Sequence, residues 1–247
     1  MLPVEAGRLT SHHSSPTRRS IMHRTGTGIL AIWHDIEPTG HDDFLEWHTR
    51  EHMPERVSVP GFLRGCRYVA LQGSPQYFNF YQTETPDTLV SAAYLERLDN
   101  PTPWTQRAVP HFRNLNRSAG RVLGSTGIGE GGVIATLRLS PTEGARESLR
   151  TWFLDEALSQ VHQQPGIVAV HLWSAERAAS LVETSESRAR VDAAEVADWT
   201  MAIEANAEHF AVAAKDWLCK QTEFRGSLAS HANIGVYQLQ HRLNTAG

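Results

Sequence analysis

An α+β fold built from two tandem, similarly ordered units is predicted by three observations in this 247-residue sequence. A framework recurs in both halves at one constant spacing: Trp47 with Trp152, Glu51 with Glu156, and Pro60-Gly61 with Pro165-Gly166. Strand-type and helix-type hydrophobic patterns follow the same β-α-β-β-α order in each half, with a fourth strand in at least the second. Hydrophobic residues make up 40% of the chain, enough to fill a core. The β-α-β-β-α-β order is the split βαβ pattern of a ferredoxin-like unit. Such a unit covers one sheet face with helices and leaves the other bare, so two units close face to face around a shared interior.

Residues 1–26 hold His12, His13, Arg18 and Arg19 among few apolar residues and are expected to be disordered. The first unit spans 27–128 and the second 129–247. In the first, the apolar run Gly28–Ile36 predicts a strand buried on both faces. A helix follows: Thr39 to Asp43 offer cap chemistry, and Phe44, Leu45, Trp47, His48, Glu51 and His52 recur at three- and four-residue spacing up to Pro54. Strands are expected over 62–71 and 76–83, joined by a turn at Gly73-Ser74-Pro75, and a second helix over 86–98. The second unit repeats the order, with strands over 132–139, 167–173, 197–204 and 234–243 and helices over 145–163 and 208–218. Two stretches break the repeat. Residues 99–127 form an insert carrying Trp104 and His111, and 174–195 lengthen the second hairpin; connections this long act as lids or binding loops, or stay disordered.

Net charge is -4 with interspersed signs, which gives no footprint for nucleic acid or a membrane surface. Cys66 and Cys219 stand in different halves without metal-type spacing, so neither a disulfide framework nor a zinc-cysteine site is expected, and a reducing cytoplasm is the expected location. No window is apolar enough for a membrane span.

The repeat is asymmetric where chemistry is concerned. His48 aligns with Phe153 and His52 with Ala157, so the imidazoles occur in one copy only. Four apart on a helix, they project from one face and can act on one ligand or one metal. The string His48-Thr49-Arg50-Glu51-His52 formally matches the inverted zinc-peptidase pattern, but no downstream helix supplies a third ligand, and Glu51 has a counterpart, Glu156, where no histidines stand. No glycine-rich loop has dinucleotide spacing and no Ser or Cys sits in a nucleophile elbow, so no nucleotide cofactor or covalent hydrolysis is expected. On the strand 77–81, alternation places Tyr77, Asn79 and Tyr81 on one face, the natural cavity lining, and Phe78 and Phe80 on the other. Arg64, Cys66 and Tyr68 share a face of the preceding strand; Arg138 and His171 are weaker candidates in the second half. An imidazole in an aromatic cavity exchanges protons near neutral pH. His52 or His48 is the expected general acid/base, with Glu51 or Asp35 as orienting carboxylate.

Trp33-His34-Asp35-Ile36, Trp47 through Arg56, Pro60-Gly61-Phe62 and Arg67-Tyr68 together resemble the EthD-like branch of the dimeric α+β barrel superfamily, over residues 28 to about 120 and more weakly beyond. That resemblance implies a pocket between the helices and the sheet, with a helix-borne histidine directed at a small, often aromatic ligand. The expected substrate contacts are Trp33, His34, Arg67, Tyr68, Asn79, Tyr81, Trp104 and His111. The expected activity is cofactor-independent acid/base chemistry of the lyase, dehydratase, isomerase or cyclase kind, in a homodimer. The alternatives are a cofactor-free monooxygenase, a protein holding haem or a divalent metal through His48 and His52, and a non-catalytic binder.

Overall fold

The computed structural model describes residues 26–245. Of the N-terminal segment expected to be disordered, residues 1–25 lie outside the described residues. The strands are β1 (Gly28–Ile36), β2 (Phe62–Gly73), β3 (Tyr77–Thr83), β4 (Phe112–Gly127), β5 (Val133–Leu139), β6 (Ile167–Ala175), β7 (Trp199–Ala205) and β8 (Asn233–Asn244). All pair antiparallel and close into one barrel in the order β1-β3-β2-β8-β5-β7-β6-β4. Each repeat lends its fourth strand to the seam. β4 lies between β1 of its own repeat and β6 of the other, and β8 lies between β5 and β2. The two repeats therefore pair within the chain.

Strand alternation sorts the side chains into an interior and two outer layers. Ile29, Trp33, Tyr68, Phe78 and Phe80 of the first repeat fill the barrel with Ile134, Trp173, Ala202 and Tyr237 of the second. Outside, the helix over residues 41–57 and the helices Ala92–Asp99 and Pro103–Ala108 cover the first repeat. The helix over 146–162 and the helix Glu208–Lys220 cover the second with a wholly apolar layer. Among the described residues no helix is long and apolar enough to cross a membrane.

The structure corrects the expected insert. Residues 99–127 are not a loop but a short helix, Pro103–Ala108, capped by Thr102, followed by the 16-residue strand β4. The strand escaped hydrophobic patterning because its buried residues Asn116, Arg117 and Ser118 are polar. Arg117 donates to the carbonyls of Ala179 (2.9 Å) and Ser180 (2.8 Å), and Ser118 meets Asn116 at 3.0 Å. The second helix is shorter than expected, because Pro86–Val90 is a 3-10 turn and the α-helix starts after the Ser91 cap.

The long second hairpin is a strap laid across the first repeat, through the short helices Arg177–Ser180 and Ser185–Arg188. Its anchor is Glu186, paired with the buried Arg56 of the helix 41–57 and with Arg190 at 2.9 Å. Burial alone would push the Glu186 carboxyl up, but Arg56 and Arg190 hold it below the usual carboxylate range. Removing one partner of such a pair strands a buried charge. Glu186→Gln is therefore expected to destabilise the fold by about 3–5 kcal/mol, measurable by denaturant unfolding.

Candidate functional site

Between the helix 41–57 and the outer face of β1-β3-β2 the first repeat buries a polar cluster. His34 is 0% exposed, His48 2%, His52 8%, Arg67 6% and Asn79 2%. The helix reaches the cluster through a π turn at His48–His52, where the Met53 N–H bonds back to the His48 carbonyl. Insertions of this kind often mark functional positions. Here the same turn recurs at Phe153–Ala157, so it belongs to the repeat and Pro54 is not its cause. His48 and His52 do share one face, with ring centroids 5.5 Å apart.

The strands supply the other wall. Tyr81 Oη lies 3.4 Å from His48 Nε2, and Asn79 Nδ2 lies 2.8 Å from His34 Nε2. His34 Nδ1 faces the Asp35 backbone carbonyl at 3.4 Å, which places its proton on Nδ1 and leaves Nε2 to accept from Asn79. Within this cluster three buried polar atoms have no partner among the described residues: His48 Nδ1, His52 Nδ1 and Asn79 Oδ1. Such groups cost stability unless a ligand or water meets them.

Electrostatics point the same way. Burial pushes the His34 imidazole down to about 3, and burial first, then neighbouring positive groups, holds His48 and His52 well below the usual histidine range. All three are neutral at pH 7. Arg67, cross-strand neighbour of Asn79, donates to Gln240 Oε1 (3.2 Å) and the Leu45 carbonyl (3.3 Å) and lies over the Phe44 ring. Among the described residues no carboxylate comes within ion-pair distance of it. A buried guanidinium facing neutral groups is a place prepared for negative charge.

The second repeat shows how deliberate this set is. The strand registers pair His34 with Tyr77, Ile32 with Asn79 and Leu30 with Tyr81 in the first repeat, and Leu139 with Trp199, Leu137 with Met201 and Ala135 with Ile203 in the second. By position, His34, Arg67, Asn79 and Tyr81 thus correspond to Leu139, Leu172, Met201 and Ile203, and His48 and His52 to Phe153 and Ala157. Every one of those counterparts belongs to a single apolar core. One framework is packed twice, once with hydrocarbon and once with a histidine-arginine-amide cluster.

Several expected contacts lie elsewhere. Trp33 and Tyr68 point into the barrel, on the face opposite the histidines. Trp33 donates to Thr136 Oγ1 at 3.0 Å. Glu51 accepts from the Thr102 hydroxyl, and from that of Thr105 at 3.4 Å, so it anchors the helix Pro103–Ala108 and does not orient an imidazole. The Asp35 carboxylate accepts from the Gln76 N–H (2.6 Å) and Asn114 Nδ2 (2.7 Å), beside a cavity of about 410 Å³ with Arg138 and Glu195; its backbone, not its carboxylate, serves His34. Trp104 donates to Asp43 at 2.9 Å and packs partly buried against the cluster of Phe44 and Trp47, and His111 faces Glu37 at 3.4 Å; among the described residues neither hydrogen-bonds to His34, His48 or His52. Sequence reasoning missed Gln240, which reaches Arg67 from β8 of the other repeat and carries no local signal.

Among the described residues no third His, Cys, Asp or Glu completes a metal-ligating group with His48 and His52. Two neutral nitrogens are an incomplete set for zinc. A haem or metal alternative rests on these two imidazoles alone.

No family model and no curated protein matches the chain. Solved structures do. An anthrone oxidase-like protein superposes with a TM-score of 0.65 at 13% identity, covering 90% of this chain and 94% of that one. A candidate chlorite dismutase gives 0.54 at 10% identity over 87% and 96%. A candidate monooxygenase from Lactobacillus acidophilus NCFM gives 0.53 at 8% identity over 89% and 97%. At these identities the likeness is one of fold: the chain has the ferredoxin-like, dimeric α+β barrel architecture, with both halves of the barrel in one polypeptide.

Proposed function

We propose that the protein is an enzyme, working without an organic cofactor, that removes a proton from a small aromatic or carbonyl compound and holds the resulting anion. The observation that carries this reading is the buried, carboxylate-free Arg67 beside neutral imidazoles with unpartnered nitrogens. His52 Nδ1 takes the proton. Tyr81, kept protonated by burial, donates to His48 Nε2, so His48 presents its own proton on Nδ1 to the developing oxyanion. Arg67 supplies the countercharge and Asn79 Oδ1 accepts from a substrate hydroxyl. Burial keeps the imidazole unprotonated at pH 7 but weakens it as a base, so the proton stays on His52 only while the substrate anion formed beside it supplies the compensating charge. Return of the proton to a different atom gives isomerisation; attack of the carbanion on a carbonyl carbon of the same substrate, whose oxygen then takes the proton, gives cyclisation; and expulsion of a β-leaving group, which takes the proton, gives dehydration or lysis.

The cluster is close-packed: Phe44 lies 5.4 Å from His48 and Trp47 4.3 Å from His52, centroid to centroid, and the described cavities are lined by other residues. Substrate entry therefore involves displacement of the helix 41–57 or of the Pro103–Ala108 helix over it.

A second reading is favoured by the superposition on the anthrone oxidase-like protein. In this reading the same stabilised carbanion passes its electrons to dioxygen, forming a peroxide that loses water to leave the oxidised product, and this chain is a cofactor-free oxygenase. A panel of anthrones, hydroquinones and hydroxylated aryl ketones, followed by product analysis and an oxygen electrode, tests both. Oxygen uptake equal to substrate loss supports oxygenation, and product formation under nitrogen supports simple proton transfer. In either case Arg67→Leu, which installs the residue of the second repeat, is expected to lower kcat/KM by about 100-fold or more. An unchanged value in that variant contradicts the proposal.

A further inference from the structure

On the other face of the sheet, at one end of the barrel, a separate cavity of about 450 Å³ is lined by Ile29, Arg64, Phe80, Ser125, His171 and Trp173 among others. Its volume falls in the range of sites for small ligands, about 300–1,000 Å³. The walls are aromatic, with Phe80 and Trp173 centroids 5.7 Å apart, and the Arg64 guanidinium lies over the Phe80 ring at 5.1 Å. The polar groups form a chain. Ser125 Oγ lies 2.8 Å from His171 Nδ1, and His171 Nε2 lies 3.4 Å from Oε1 of Glu204, which is 2% exposed. The other Glu204 oxygen accepts the Gly131 N–H at 2.8 Å. Burial would raise this carboxyl, but His171 and the Gly131 N–H hold it below the usual range. His171 is thereby oriented, with one nitrogen on a fixed carboxylate and the other on a hydroxyl at the cavity rim.

Over the same cavity runs the glycine-rich connection between the repeats, residues 127–132. Gly127 there has φ 103, a conformation that favours glycine. Its single charged residue, Glu130, pairs with both Arg64 and Arg242. Glu130 is half-exposed, and ion pairs of that kind are readily exchanged for another carboxylate.

We propose that this cavity is a second, non-catalytic site, for a small aromatic carboxylate. The ring packs against Trp173, Val122 and Ile128, with Phe80 buried behind Arg64, and the carboxylate replaces that of Glu130 on Arg64 and Arg242. A ring hydroxyl reaches the Ser125-His171 pair. Glu130 is then a built-in competitor that the ligand displaces, and the connection 127–132 is the strap that it releases. The site shares no residue with the histidine cluster and stands or falls independently of it.

Calorimetry on the full chain with 4-hydroxybenzoate and its uncharged analogue 4-hydroxybenzamide tests the proposal. The acid is expected to bind at least tenfold more tightly than the amide, and Arg64→Gln to erase that preference. Glu130→Gln is expected to tighten acid binding by about three- to tenfold, a gain that a purely structural role for Glu130 would not produce. Because Glu130 is on the surface, this variant remains informative even if Arg64→Gln fails to fold. The double variant His48→Phe/His52→Ala is expected to bind the acid like the wild type. Equal affinity for acid and amide, no detectable binding of the acid, no gain in Glu130→Gln, or loss of binding in the histidine variant would each overturn the assignment.

Discussion

Replacing His48 and His52 by the residues that occupy their positions in the second repeat, His48→Phe with His52→Ala, is expected to raise the melting temperature and abolish turnover. The second repeat supplies the structural precedent: Phe153 and Ala157 are fully buried in the same π turn of the same helix, against a strand layer of the same register. The wild-type imidazoles each leave a buried nitrogen without a partner, and relieving two such defects at about 1–3 kcal/mol each outweighs the one long hydrogen bond, 3.4 Å from the Tyr81 hydroxyl to His48 Nε2, that the variant loses. Activity should move the other way, by about 100- to 10,000-fold, the usual contribution of a positioned acid/base. Calorimetric melting and turnover measured on one preparation separate the two effects. A variant that is less stable and still active contradicts the assignment of these residues to chemistry.

Acid should unfold this protein more steeply than its carboxylates alone explain. His34, His48 and His52 have folded pKa values lowered by burial, His34 to about 3. In the unfolded chain each takes up a proton near pH 6.5. Their contribution is therefore fully present above pH 6.5, where both states are neutral. Below it the unfolded state binds more protons, and stability falls with pH until the folded pKa is reached. Each histidine contributes a slope of about 1.4 kcal/mol per pH unit, so three give roughly 4 kcal/mol per unit. Against a typical total of about 5–15 kcal/mol, that is enough to unfold the domain within a few pH units below neutrality. Urea unfolding between pH 7 and pH 5 measures the slope directly. In His48→Phe/His52→Ala it should shrink by about two thirds of the histidine part; an unchanged slope would mean that these rings are solvated.

How much of this was legible in the sequence follows from what each residue answers to. The doubling shows in Trp47/Trp152 and Pro60-Gly61/Pro165-Gly166 because those residues meet local demands that recur. Gly61 and Gly166 both have positive φ, 90 and 71, just before a strand. The strands β1, β3, β5 and β7 are buried along nearly their whole length and carry enough apolar residues to announce themselves. β4 does not, because its buried polar residues are satisfied by a strap some 60 residues away in sequence, and no local pattern records a distant partner. At the site, alternation correctly grouped Tyr77, Asn79 and Tyr81 opposite Phe78 and Phe80. The same alternation sets Trp33 opposite His34 and Tyr68 opposite Arg67, so the four cannot all line one pocket, and the structure turns Trp33 and Tyr68 into the barrel. The expected carboxylate partner failed for a different reason. Glu51 is repeated as Glu156, and its hydroxyl partners come from the inserted helix, whose packing the sequence does not reveal.

In the proposed chemistry the first repeat holds a dry, anion-stabilising site in which His52 moves a proton. That chemistry is tested most directly by hydrogen-deuterium exchange at the acidic carbon of an aryl ketone, followed by NMR under nitrogen, where neither product release nor oxygen intervenes. The account predicts enzyme-catalysed exchange in the wild type that disappears in His52→Ala and in Arg67→Leu while both variants remain folded. Exchange that continues at the wild-type rate in either variant contradicts it.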